Sequence, residues 1–245
     1  MSKAKATIVF CSKDTKEDEG FISNIKSMAG CDIDIIPKVG YDQITKAYNE
    51  ALDEANTDLV IFCHNDILIK TDGFVNILLE LFSKSKKGII GLVGSNAWDG
   101  GSWAGKKSHA VGHLIQCNKY YPGLPKYILF SPKFRKKELI PVITCDGMFI
   151  AVMKSRVKER FDEVLKGFHF YDVMFTIDNV LKGVDAAVTY KILALHKSEG
   201  MLNDQWYESQ LYSKFKYGEN YRVQLDLPEG GNPYMENYDR NKKYI

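Results

Sequence analysis

Leu59-Val60-Ile61-Phe62-Cys63-His64-Asn65-Asp66 decides how the chain is read: five apolar residues in a row, then three polar ones. A short run without a polar member fits a strand buried on both faces. Its end puts His64, Asn65 and Asp66 at the carboxyl edge of that strand. Working outward, Ala6 to Cys11 has the same character and leads through polar Ser12 to Gly20 into a short amphipathic helix. Asp32 to Pro37 reads as a second strand. Ile44, Ala47, Tyr48, Ala51, Leu52 and Ala55 have helical spacing with one apolar face. Phe74, Ile77, Leu78, Leu81 and Phe82 mark another helix, and Gly88 to Val93 another buried strand. Strands alternating with helices predict an α/β fold: a Rossmann-like, mainly parallel central sheet flanked by helices. In such sheets ligands gather beyond the carboxyl ends of the strands. Cys11-Ser12 and His64-Asn65-Asp66 are therefore candidates for binding.

The second half is less regular. Asn96 to Lys107 is rich in Gly and Trp and reads as a loop, and Tyr120 to Lys137 as a basic, aromatic connection. Ile140 to Cys145 and Met148 to Met153 read as two strands separated by Asp146-Gly147, a turn dipeptide. A helix is predicted near Lys154 to Phe161, a second from Tyr171 to Leu181, and a last strand over Ala186 to Leu195, ending at His196. Without internal repeat or linker, residues 1–245 read as a single domain. Residues 202–245 form a polar, Tyr-rich C-terminal extension or lid.

The 245 residues carry a formal net charge of +2, so no strong global field draws the chain to nucleic acid. Five cysteines, none in a C-x-x-C pair, argue against a disulfide framework and for a reducing compartment. No run approaches the roughly 18 apolar residues of a membrane span, and the N-terminus has no signal-peptide pattern. The expectation is a soluble, cytoplasmic protein. Oligomeric state is not legible.

Gly100 to Lys106 has the spacing G-x-x-x-x-G-K, but Lys107 follows where a phosphate loop needs Ser or Thr. A loop touching substrate through the flat faces of Trp98 and Trp103 fits better. His109 and His113 have the spacing of a zinc helix but lack its Glu. Asp66 can hold a hard divalent cation that bridges two phosphates, or merely solvate the strand end. Asp172 can cap the helix that begins at Tyr171, or act as a general base toward an acceptor hydroxyl. His196 can ligate a metal or face solvent.

Taken together these segments resemble glycosyltransferase family 2, more closely its subset similar to the StrF-like proteins of streptomycin biosynthesis. The resemblance runs from about Ala6 to Trp206. Ala47 to Leu52 resembles the helix whose Asn, here Asn49, lies near the donor nucleotide. His64-Asn65-Asp66 stands where the family has its D-x-D metal motif. Asp146 to Val152 resembles the D-G-x-F-x-A-V strand lining the acceptor site, and Phe161-Asp162-Glu163 the family's F-D-E. His169 to Asp172 stands where an Glu-Asp pair carries the base, and Leu195 to Ser198 resembles the late strand whose His completes the metal site. The chain departs from the pattern at His64, which replaces the first carboxylate, at Tyr171, which replaces the Glu, and at Met174, where relatives commonly have Asp.

The resemblance implies a GT-A fold and an inverting, metal-assisted hexosyltransferase. It would move a sugar from a nucleotide-diphosphate donor, by the family's habits a UDP-sugar, to a glycan or small-molecule hydroxyl. Asp172 would be catalytic. Asp66 with His64 and His196 would hold Mn2+ or Mg2+. Cys11, Ser12, Asn49 and Asn65 would contact the donor, and Trp103, Asp146 and His169 would border the acceptor. One alternative is a non-catalytic nucleotide-sugar or glycan-binding module on the same fold. The other is a nucleotidyltransferase, for which Ser12 to Gly20 lacks the Gly-rich, basic phosphate loop.

Overall fold

The computed structural model describes residues 4–14, 18–103, 107–117, 124–198, 202–218 and 223–224. The central sheet has seven strands. In chain order these are β1 (Ala6–Ser12), β2 (Ile33–Val39), β3 (Leu59–Cys63), β5 (Ile89–Gly91), β10 (Ile140–Val142), β12 (Phe149–Met153) and β13 (Ala186–Val188). Across the sheet they lie in the order β10-β13-β5-β12-β3-β1-β2. A second sheet has β11 (Thr144–Cys145), β6 (Val93–Ser95), β8 (Ala110–Gln116), β14 (Ala194–His196) and β4 (Ile67–Ile69), with β9 (Lys126–Phe130) paired to β8. Both edge strands of the central sheet carry a proline, Pro37 and Pro141. Proline withholds a ladder N–H, so it is tolerated there and blunts further pairing.

Strand alternation divides the core. Val9, Val60 and Phe62 face one side, against α2 (Ile44–Glu54) and α4 (Tyr171–Leu181). Ile8, Phe10, Leu59 and Ile61 face the other, against α1 (Glu19–Met28) and α3 (Phe74–Ser83). The expected layering of helices on both faces is therefore present. The central sheet is mainly parallel as expected: β1, β2, β3, β5 and β13 run one way, and only β12, antiparallel to β3 and β5, and the edge strand β10, antiparallel to β13, run against them. β12 enters from the Asp146-Gly147 turn instead of a helical crossover, so it runs against both neighbours.

Three segments that read as single strands each divide between the two sheets. Gly88 to Val93 becomes β5 and β6, Ile140 to Cys145 becomes β10 and β11, and Ala186 to Leu195 becomes β13 and β14. A Cβ on Gly94 would meet the Thr144 carbonyl oxygen at 2.2 Å, so only glycine permits this close approach of the paired strands β6 and β11.

No helix forms over 154–161; a turn is followed by extended chain. The backbone groups there pair with side chains instead. Asn179 Oδ1 accepts from Lys158 N (2.8 Å) and Glu159 N (3.1 Å). Asn49 Oδ1 accepts from Phe161 N (3.0 Å), and Asn49 Nδ2 donates to Phe161 O (2.8 Å). Satisfied buried polar groups remove the reason to form a helix. Of the 202–245 extension, α5 (Asp204–Tyr217) and the short β15 (Val223–Gln224), which pairs with β7 (Ala97–Trp98), are described. Tyr212 and Lys216 of α5 bond to Asp162, and Tyr217 to Asp178. The G-x-x-x-x-G-K stretch falls partly outside the described residues. Among those described, no helix is long and apolar enough to cross a membrane. The five cysteines are free, and burial pushes the Cys11 thiol up to about 12.

Candidate active site

His64 immediately follows β3, Asp66 immediately precedes β4, and His196 closes β14, so the two sheets bring these residues together at their junction. His64 Nδ1 lies 3.4 Å from His196 Nε2, and Asp66 Oδ1 lies 3.5 Å from His196 Nε2 and 3.9 Å from His64 Nδ1. A point equidistant from these three atoms lies about 2.1 Å from each, a bond length for imidazole nitrogen or carboxylate oxygen on a small divalent ion. Asp66 Oδ1 is buried and makes no well-formed hydrogen bond. An orphaned carboxylate oxygen beside two ring nitrogens is what a cation would satisfy. Burial alone would raise the Asp66 carboxyl, but His196, Ser198 and His64 together hold it well below the usual range. Burial and the neighbouring His196 lower His64. Burial would lower His196 too, but Asp66 and Asp146 outweigh it and raise the ring.

Two cavities meet at this cluster. One, of about 760 Å³, is lined by Cys11, Ser12, Asn65 and Asp66, together with Tyr41 and Tyr48. The other, of about 380 Å³, is lined by Trp103, Asp146, His169, Asp172 and His196, with Phe130, Phe170 and Trp206. His64 and Phe168 line both. Of the eleven candidate site residues only Asn49 stands apart, and Trp98, expected to touch substrate through its flat face, is 1% exposed and lines neither cavity. Asn49 is 4% exposed, lines neither cavity, and spends its amide on Phe161 and Glu163. Its amide clamps α2 to the 161–163 segment instead of lining the expected donor cavity. Asn65 donates to Asp18 Oδ1 at 2.7 Å, which leaves its own oxygen as an acceptor.

Asp172 lies in the first turn of α4; its Oδ2 accepts from Gly147 N at 2.7 Å, and the first-turn backbone N–H groups of Val173 and Asp172 also favour its carboxylate. Burial, then the neighbouring Asp146, pushes its pKa up to about 7. The residue before the helix, Phe170, is left-handed at φ 61°. That costs roughly 1–2 kcal/mol for a side chain of this type. Phe170 is held by its contact with Trp206 of α5, ring centroids 5.2 Å apart. The strain turns the chain so that Tyr171 and Asp172 both enter the second cavity.

Sequence reasoning missed three participants. Tyr171 hydroxyl lies 2.9 Å from His64 Nε2, and Gln116 Oε1 lies 3.3 Å from His196 Nδ1. Phe168 stands between the cavities. Tyr171 is visible in sequence only as a departure from a pattern. Gln116, a polar residue ending an apolar strand, carries the same strand-end signal as Asp66.

The architecture is shared with solved glycosyltransferases. GalNAc-T7, determined with UDP, GalNAc and Mn2+, superposes with a TM-score of 0.54 at 10% identity over 86% of this chain. The chain spans about half of that protein, 48%. TarS residues 1–349 from S. aureus superposes with a TM-score of 0.53 at 13% identity, covering 91% of this chain and 67% of TarS. The fold is that of the GT-A glycosyltransferases, a large mixed sheet flanked by helices. The chain belongs to the glycosyltransferase-like family whose model matches residues 6–223. No curated protein matches it.

Proposed function

We propose that residues 1–245 form one catalytic unit that transfers a hexose from a nucleotide-diphosphate donor, preferentially a UDP-sugar, to an acceptor hydroxyl with inversion. One observation carries this reading. A cation-fitted cluster, His64, Asp66 and His196, lies where a cavity with strand-end polar groups meets a cavity containing a carboxylate of raised pKa. The donor lies in the larger cavity, against Cys11, Ser12 and Asn65. His64, Asp66 and His196 would hold a divalent ion, Mn2+ or Mg2+, which would supply positive charge against the departing diphosphate. The acceptor enters the smaller cavity, whose aromatic walls at Trp103, Phe130 and Trp206 suit the C–H faces of a sugar ring. Asp146 and His169 border it.

Asp172 takes the proton of the acceptor hydroxyl as that oxygen bonds to the anomeric carbon. The bond from that carbon to the diphosphate oxygen breaks on the opposite face, which inverts the configuration. A base with a pKa near 7 is suited to accept a proton near neutrality. The StrF-like affiliation and a cytoplasmic location belong to this same reading. Thermal-shift titration with UDP, with and without Mn2+, tests the donor side. A ligand at about 100 times its dissociation constant adds roughly 2.7 kcal/mol of stability. Absence of any metal-dependent shift with every nucleoside diphosphate tested would remove the metal-assisted mechanism. Donor binding without turnover, unchanged in Asp172→Asn, would instead point to a binding module.

A further inference from the structure

The two residues at which the chain departs from the expected sequence pattern, His64 and Tyr171, are bonded to each other. Tyr171 hydroxyl also lies 3.2 Å from the Gly147 carbonyl oxygen, to which it donates. Its oxygen then accepts the proton of His64 Nε2 at 2.9 Å, and the lone pair of His64 is left on Nδ1, the atom facing Asp66 and His196. The approach is built into the backbone, since a Cβ on Gly147 would fall 2.1 Å from the Tyr171 hydroxyl. His196 is fixed in a parallel way. The Gln116 amide nitrogen donates to the carbonyls of Cys117 (3.2 Å), His196 (3.3 Å) and Ser198 (2.6 Å), so its oxygen must be the atom facing His196 Nδ1. Nδ1 therefore carries the proton, and the lone pair of His196 sits on Nε2. In their neutral forms both imidazoles present bare nitrogen toward the orphaned Asp66 Oδ1.

A site with two imidazole nitrogens and one carboxylate oxygen differs in kind from a site of oxygens. Mg2+ prefers oxygen and water, whereas imidazole suits first-row transition ions. Partners on the far ring nitrogen orient such ligands, and their loss typically weakens metal binding 10–100-fold. We propose that Tyr171 is a positioning residue that fixes His64 as a neutral nitrogen ligand, and that the resulting donor set selects a transition-metal ion over Mg2+. This rests on the metal reading given above.

The test uses the whole chain with Mn2+ alone, followed by electron paramagnetic resonance, with Mg2+ as competitor. Wild type should bind Mn2+ at least about tenfold more tightly than Mg2+ and show nitrogen coupling from bound imidazole. Tyr171→Phe should lose about tenfold or more of Mn2+ affinity while its metal-free melting temperature stays near that of wild type. If Tyr171→Phe does not fold, His64→Asp decides the question. That variant restores an oxygen ligand, so it should narrow the preference for Mn2+ over Mg2+. Equal wild-type affinity for Mn2+ and Mg2+, full Mn2+ affinity in Tyr171→Phe, or an unchanged preference in His64→Asp would overturn the proposal and leave the metal site standing. No binding of either ion, alone or with UDP, would overturn both.

Discussion

Replacing Asp172 with Asn separates a buried base from a helix cap. In the native state burial and Asp146 raise the carboxyl from 3.8 to about 7. Between those values the unfolded chain has released a proton that the native state keeps, so wild-type stability falls as pH rises through the window and levels off above about 7. About three units at 1.36 kcal/mol each bound the loss at roughly 4 kcal/mol. Asn does not ionise, and its oxygen can still accept from Gly147 N, the contact Asp172 makes at 2.7 Å. The variant should therefore match wild type near pH 4 and exceed it at pH 8 by up to about 4 kcal/mol, read at roughly 2–4 °C per kcal/mol in a chain of this size. Thermal melts of both proteins without metal or nucleotide, from pH 4 to 8, measure this. Activity should move the other way. Wild-type transfer should rise with pH through about 7, and the variant should be slower by at least about a hundredfold. A stability difference that stays flat with pH would refute the buried carboxyl, and transfer at the wild-type rate would refute its role as base, leaving Asp146 as the next candidate.

Three further outcomes can be measured. Asp66→Asn should abolish the Mn2+-dependent part of UDP stabilisation while leaving the metal-free melt little changed, which titration calorimetry and melting would show together. Because His196 must shed its proton to bind metal and its pKa is raised, Mn2+ affinity should weaken as pH falls through the imidazole range; affinity independent of pH would remove His196 from the ligand set. Asn49→Ala should destabilise the protein by about 1–3 kcal/mol through the unpaired groups at Phe161, yet leave UDP affinity intact once folded; a selective loss of UDP binding would restore Asn49 to the donor site.

Much of the fold was legible because buried strands and one-faced helices leave a periodic signature. β3 and α4 have the limits read from sequence, Leu59–Cys63 and Tyr171–Leu181. The division of three segments between sheets was not legible, since a residue buried in either sheet is equally apolar. The same limit hid the direction of β12, which depends on where its turn emerges. In the site, strand-end polar residues were visible as exceptions to an apolar pattern. Asn49 made the same kind of exception on α2, but its partner lies 112 residues away and local sequence does not register it. The absent helix over 154–161 has the same origin, because the amides that replace its hydrogen bonds belong to α2 and α4.

Three segments passing from one sheet to the other tie the sheets at three places along the chain, at residues 92, 143 and 189–193. Neither sheet can slide or detach without breaking ladder hydrogen bonds in both. Amide exchange should then find β5 and β6 opening in a single event rather than as separate foldons. The His64–Asp66–His196 cluster lies on this seam, with His64 just past a strand of one sheet and His196 at the end of a strand of the other. Binding at that point closes a cross-link between layers that already open together, so slowed exchange should spread through both sheets instead of stopping at the loops around the cavities.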